Sequence, residues 1–111
     1  MQKQYRLKRR AAFAYVYRKG ERASARDLVL LGAKSREGLK IGFSVSKKVG
    51  NAVVRNRVKR LLREAVAQIA QRIDAGYMYV IVARPSLAGL PLVKVAEEVE
   101  YAFSKSGKLV C

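Results

Sequence analysis

The run Tyr77-Met78-Tyr79-Val80-Ile81-Val82-Ala83 carries no charged side chain. A strand with one wet face alternates apolar and polar residues, so an unbroken apolar run marks an inner strand covered on both faces. The Asp74-Ala75-Gly76 turn precedes it and Arg84-Pro85 ends it. It is far too short for the ~18 residues of a membrane span, and no other apolar run approaches that length. The rest of the chain must therefore supply this strand with neighbours and covers. With 111 residues, 50% of them hydrophobic, one core and one domain spanning 1–111 are expected.

The covers are legible as periodic segments. Between Leu7 and Lys19, Ala12, Phe13, Val16 and Tyr17 form a narrow apolar stripe, and Gly20 is a helix stop. Asp27–Ala33 reads as a strand, preceded by the outline of a short one at Arg22–Ser24. After a turn at Ser35–Gly38, Leu39, Ile41, Phe43 and Val45 alternate with Lys40, Gly42, Ser44 and Ser46, a period of two. The Asp27–Ala33 and Leu39–Ser46 runs are expected to pair as a hairpin. A long helix follows from Ala52 to Ile73, with Asn51 as its N-cap. Pro91 opens a last helix whose core stripe is Leu92, Val95, Ala96, Val99, Ala102 and Phe103, with Glu97, Glu98 and Glu100 outward. The order is helix, two or three strands, helix, strand, helix: an α/β (α+β) two-layer sandwich on one small sheet.

Charge then narrows the function. The net charge is +16, and all of it belongs to the first 63 residues, where the only acids are Glu21, Asp27 and Glu37. Such a field repels itself unless a polyanion neutralises it. Histidine is absent and Cys111 is the one cysteine. That excludes an internal disulfide, a Cys/His zinc site, a Cys–His nucleophile and histidine acid–base chemistry. A lone terminal cysteine supports no function. No signal peptide precedes the basic start, so a soluble, cytoplasmic protein that binds RNA or DNA is expected, with no membrane partner and no small-molecule substrate.

At 100° per residue the long helix separates its faces. With Val54 at zero, the apolar residues fall between about −20° and +120°, while Asn56, Lys59, Arg60 and Arg63 fall between about 140° and 240°, and Arg57 flanks them. Arg55, Arg57 and Lys59 crowd the first turns, where the helix dipole penalises cations by ~0.3–1 kcal/mol each. Lys59 and Arg63, like charges at i and i+4, cost a further ~0.2–0.5 kcal/mol. A merely solvated face would put acids there. Phosphates reverse both penalties, because free N–H groups and cations then converge on one anion.

A second candidate surface lies on the first helix. Phe13 and Tyr17, at i and i+4, share one edge and stand among Lys8, Arg9, Arg10, Arg18 and Lys19, with Arg26 at the start of the adjoining strand. They are either ordinary core packed on Val29 and Leu31, or a platform for stacking unpaired bases in a cationic groove. The residues alone leave both readings open.

The stretch Ser44-Val45-Ser46-Lys47-Lys48-Val49-Gly50-Asn51-Ala52-Val53-Val54-Arg55-Asn56-Arg57-Val58-Lys59-Arg60-Leu61-Leu62-Arg63-Glu64 closely resembles the signature of the bacterial ribonuclease P protein subunit. Arg55-Asn56-Arg57 matches that family's RNR motif, and the resemblance covers essentially the whole chain. It implies a helix–three strands–helix–strand–helix sandwich with a left-handed strand–helix–strand crossover. It implies a cofactor of a large catalytic RNA that removes the 5′ leader from precursor tRNA and processes other small structured RNAs. The RNA performs the hydrolysis with Mg²⁺ that it chiefly binds itself, one protein pairs with one RNA, and the protein broadens the range of substrates. This chain would then supply no catalytic residue and no metal ligand.

Carried over position by position, the resemblance assigns Lys47, Lys48, Asn51, Arg55, Asn56, Arg57, Lys59, Arg60 and Arg63 to the catalytic RNA. It assigns Phe13, Tyr17, Arg26, Val29, Leu31 and Ser44 to the leader, Ser44 being small enough to let backbone approach the sheet. Tyr17 stands where a phenylalanine is common and Leu31 where an aromatic is common. The alternative is a ribosomal-type or chaperone-like RNA-binding protein with no role in cleavage, which lacks this ordered motif. A protein-only nuclease would need clustered carboxylates, and the basic half offers only three acids, widely separated.

Overall fold

The computed structural model describes residues 5–110, so Cys111 lies outside the described residues. Its elements are α1 (Arg10–Lys19), β1 (Glu21–Ser24), β2 (Leu28–Lys34), β3 (Lys40–Ser44), α2 (Ala52–Ile69), β4 (Tyr77–Ala83) and α3 (Leu92–Lys105), with short 3-10 turns at Ala70–Arg72 and Pro85–Gly89. The sheet order is β1-β2-β4-β3, which places the apolar β4 inside, antiparallel to β2 and parallel to β3.

The expected hairpin between β2 and β3 does not form, because β4 lies between them. The physical reason is burial. β4 is apolar on both sides, so an inner position hides it completely. β3 carries Gly42 and Ser44 on one face and is the cheaper strand to leave near an edge. The hairpin that does form is β1–β2, in register from Glu21↔Gly32 to Ser24↔Val29.

The main core lies between the sheet and the α2/α3 pair, where Leu28, Leu30, Ile41, Tyr79 and Ile81 meet Val58, Leu62, Val66, Val95, Val99 and Phe103. Tyr79 meets the Phe103 ring edge-on at 5.0 Å, and its hydroxyl donates to the Asp74 carbonyl at 2.8 Å. A smaller cluster on the opposite face joins Val16 of α1 to Leu31, Ala33, Met78 and Val80, with Leu7, Ala12 and Phe13 around it.

Helix limits differ from the periodic reading at two ends. α1 begins at Arg10 rather than Leu7, because Leu7 runs extended along β3 and its N–H donates to the Ile41 carbonyl at 2.9 Å. α2 ends at Ile69 and tightens into the turn Ala70–Arg72, which frees Ile73 to bridge Leu109.

The same hydrogen bond reports the hand of the crossover. Ile41 turns its side chain into the α2/α3 core, and its carbonyl points outward to Leu7, away from β4. For an L-residue in an extended strand, these two directions determine on which side the next strand lies. Seen from α2 with β3 running upward, β4 is on the left. The β3–α2–β4 connection is therefore left-handed, against the common right-handed rule.

Glu98 does not face outward as its helix pattern suggests. It is half-buried and accepts from the Asp27 backbone N–H at 2.7 Å. Asp27, 6% exposed, also receives the Ser86 hydroxyl, so this contact ties α3 to the β1–β2 turn and the Pro85–Gly89 turn. Burial, together with the Asp27 carboxyl, pushes Glu98 above the usual carboxylate range. Hydrogen bonds from Glu98 and Ser86, then the nearby Arg26 and Arg84, hold Asp27 below it. A raised carboxyl contributes stability while protonated and loses it as pH rises through the folded-state value; a lowered one loses its contribution as pH falls. Glu98→Gln keeps both hydrogen bonds without the charge. The variant is expected to lose less stability than the parent as pH rises above the ordinary carboxylate range, measured by denaturant unfolding at each pH. Parallel pH profiles would remove Glu98 from this account.

Candidate nucleic-acid interface

The approach to α2 is shaped by two local devices. A side chain at Gly50 would put its Cβ 2.8 Å from Val54 Cβ, so only glycine lets the chain turn this closely into the helix. Asn51 then caps it, its side-chain oxygen accepting from Val54 N–H at 3.0 Å. Lys47 and Lys48 stand exposed in the turn before the cap, and no acid occupies the first turn. Free N–H groups and cations thus face the same solvent.

Along α2 the cations divide into two ridges, a distinction that the single row of the helical projection does not show. Asn56, Arg57 and Arg60 are exposed, whereas Arg55, Lys59 and Arg63, at steps of four, are half-buried. Arg57 Nη2 donates to the Ala88 carbonyl at 2.9 Å, so this side chain also steadies the Pro85–Gly89 turn. The Nε atoms of Arg55 and Arg63 are buried without a hydrogen-bond partner. The ion pairs among the described residues, Arg72–Glu100, Lys94–Glu97 and Lys108–Glu21, all lie elsewhere. Among the described residues, no acid therefore forms an ion pair with the α2 cations.

The second candidate surface lies on the α1 face. Cross-strand pairing aligns Ser24, Val29, Val82 and Ser44 in one row, and Arg22, Leu31, Val80 and Gly42 in the next. Val29 and Leu31 are each 5% exposed and lie buried beneath this face. Phe13 and Tyr17 differ. A Cβ on Gly42 would come within 2.5 Å of Phe13 Cζ, so the ring is seated on the bare backbone of β3 and is half-buried. Tyr17 is 48% exposed, a ring free on one side. Ser44 is half-buried at the end of β3, and Arg26 is exposed in the β1–β2 turn.

Three further cations belong to these surfaces. Arg84 is exposed beyond β4 and donates to the Arg26 carbonyl at 3.2 Å. Arg6 bridges to Ile41, and with Lys8 it lines a pocket shared with Phe13, Lys59 and Arg63. The basic start of the sequence advertised Arg6 and Lys8 as charges, but only strand pairing places them beside α2. Among the described residues, no group of three or more His, Cys, Asp or Glu side chains is arranged to hold a metal ion, and no helix is long and apolar enough to cross a membrane.

A left-handed α/β sandwich with uncompensated cations on a capped helix and an aromatic groove behind it defines a class: a small basic RNA-binding protein. The chain belongs to the ribonuclease P protein family, whose model, described as Ribonuclease P, matches residues 1–107. It is 38% identical over 109 residues to the ribonuclease P protein component of Bacillus cereus (strain G9842), covering 96% of this chain and 95% of the relative. It is 40% identical over 111 residues to that of Symbiobacterium thermophilum, covering 98% and 96%. Among solved structures, the Staphylococcus aureus RNase P protein superimposes with a TM-score of 0.86 at 29% identity, covering 95% of this chain and 97% of that one. The RNase P protein from Thermotoga maritima does so with a TM-score of 0.79 at 26% identity, over 86% and 92%. The function is that of a ribonuclease P protein subunit with an RNA partner, and the ribosomal-type alternative falls away.

Proposed function

We propose that this chain, as one RNA-binding domain over 1–111, pairs one-to-one with a catalytic RNA in the cytoplasm and helps it remove the 5′ leader from precursor tRNA. The observation that carries this reading is the α2 surface, whose cations have no acidic partner among the described residues and whose helix start is open to an anion. Lys47, Lys48, Asn51, Asn56, Arg57 and Arg60 grip the catalytic RNA, with Arg55, Lys59 and Arg63 behind them. Phe13, Tyr17, Arg26 and Ser44, above the buried Val29 and Leu31, receive the single-stranded leader. Both surfaces bind and orient, and among the described residues neither gathers three or more carboxylates. In this reading hydrolysis belongs to the RNA, with Mg²⁺ held chiefly by it.

The experiment is reconstitution. Added to a bacterial ribonuclease P RNA at low Mg²⁺, the protein is expected to restore cleavage of end-labelled precursor tRNA at the mature 5′ end. The protein with Mg²⁺ alone is expected to cleave nothing. Site-specific cleavage by the protein alone, or no stimulation of the RNA, would overturn the proposal.

A further inference from the structure

We propose that the outer edge of β3 carries a phosphate-binding pocket, built by Arg6, Lys8, Lys59 and Arg63 against the Phe13 ring, that holds one backbone phosphate of RNA between the two surfaces of the protein. The proposal rests on the RNA-binding reading above and adds a site to it.

The pocket encloses about 180 Å³, room for about six water molecules at their liquid volume. Among the described residues, four cations line it and no carboxylate does. Two of them come from α2, one turn apart, and two from the segment that runs beside β3. That segment is held by its backbone: Arg6 bridges Ile41, and Leu7 N–H donates to the Ile41 carbonyl at 2.9 Å. This pairing sets Arg6 at the pocket that Arg63 also lines.

The free protein pays for that placement. The Nε atoms of Arg6 and Arg63 are buried without a hydrogen-bond partner, and a buried donor left unmade is costly. Burial first, then Arg6 and Arg60 nearby, pull the Arg63 guanidinium below its ordinary value. A salt bridge within the fold would relieve both strains, and the ion pairs of the described residues lie elsewhere. An external dianion or phosphodiester relieves them together, since two guanidinium forks match phosphate oxygens. The location selects RNA as its source. The pocket is lined by Lys59 and Arg63 of the α2 ridge and by Phe13, which packs on the Leu31 cluster of the α1 face.

The Nε–Hε signals of ¹⁵N-labelled arginines in the whole chain test this directly. The probes are inorganic phosphate in one arm and an unstructured pentauridylate in the other. Arg6 and Arg63 are expected to shift together, saturating at one common midpoint in each arm, while the exposed Arg36 stays still. No joint shift in either arm would overturn the site. A response to phosphate without one to pentauridylate would overturn its assignment to RNA.

Affinity for pentauridylate supplies the second readout. Arg6→Gln, Arg63→Gln and the double variant are each expected to lower the salt slope by about 0.7, the value for one phosphate on a single strand. A loss twice as large in the double variant would mean two separate contacts and would sink the shared pocket. Neither measurement needs a ribonuclease P RNA, so this site and the leader-removal reading can fail independently.

Discussion

Arg57→Ala combined with Arg60→Ala is expected to weaken assembly with the RNA partner by about 2–4 kcal/mol, roughly 30- to 1,000-fold in affinity, from the loss of two charge-assisted contacts. Both residues are exposed on α2, and Arg60 raises the electrostatic cost of Arg63 beside it. Removing Arg60 therefore eases the free protein. Removing Arg57 has a cost as well, because its bond to the Ala88 carbonyl goes with it. The two effects oppose each other, and unfolding free energy is expected to stay within about 1 kcal/mol of the parent. Salt titrations should show the slope of log affinity reduced by about two. A large loss of stability with unchanged RNA affinity would make this face structural.

Tyr17→Ala is expected to cost ~1–3 kcal/mol of precursor affinity in the assembled enzyme, the range for one stacked base. Its ring is 48% exposed, so truncation removes a solvent-facing ring while sparing the core. The loss should be large for precursors with long leaders and vanish when the leader is cut to one nucleotide. It should also be nearly independent of salt, since stacking releases no counterions. Phe13 is the contrasting case. Seated on Gly42 and packed with Leu7, it is both wall and support, so Phe13→Ala should lower thermal stability along with leader affinity. An equal penalty for Tyr17→Ala with and without a leader would remove the ring from the groove's function.

Much of this molecule is written locally. The strand β4, the cap at Asn51, the stop at Arg84-Pro85 and the stripe of α3 from Val95 to Phe103 all depend on residues near one another in the chain. Periodicity and capping chemistry report such features directly. The RNR stretch was also legible, because its cations sit where a helix start disfavours them and an anion repairs the fault. Glu98 shows the limit of that reasoning. Its place on the helical projection is outward, but the β1–β2 turn folds back far enough for the Asp27 N–H to reach it.

By itself, then, the sequence determined the kinds of elements, their order, the apolar centre of the sheet and the excess of cations on α2. Tertiary structure alone decided which strands are neighbours. The apolar run of β2 and the alternation of β3 are equally satisfied by a hairpin, and only competition for burial moves β4 between them. It alone divided the α2 cations into an exposed ridge and a half-buried one, because the projection of a lone helix contains no partner to cover Lys59 and Arg63. It alone brought Arg6 to Arg63, across more than half the chain, through backbone pairing at the β3 edge. Pairing of that kind is carried by N–H and C=O groups common to nearly every residue, which is why no side-chain pattern in the sequence announces it.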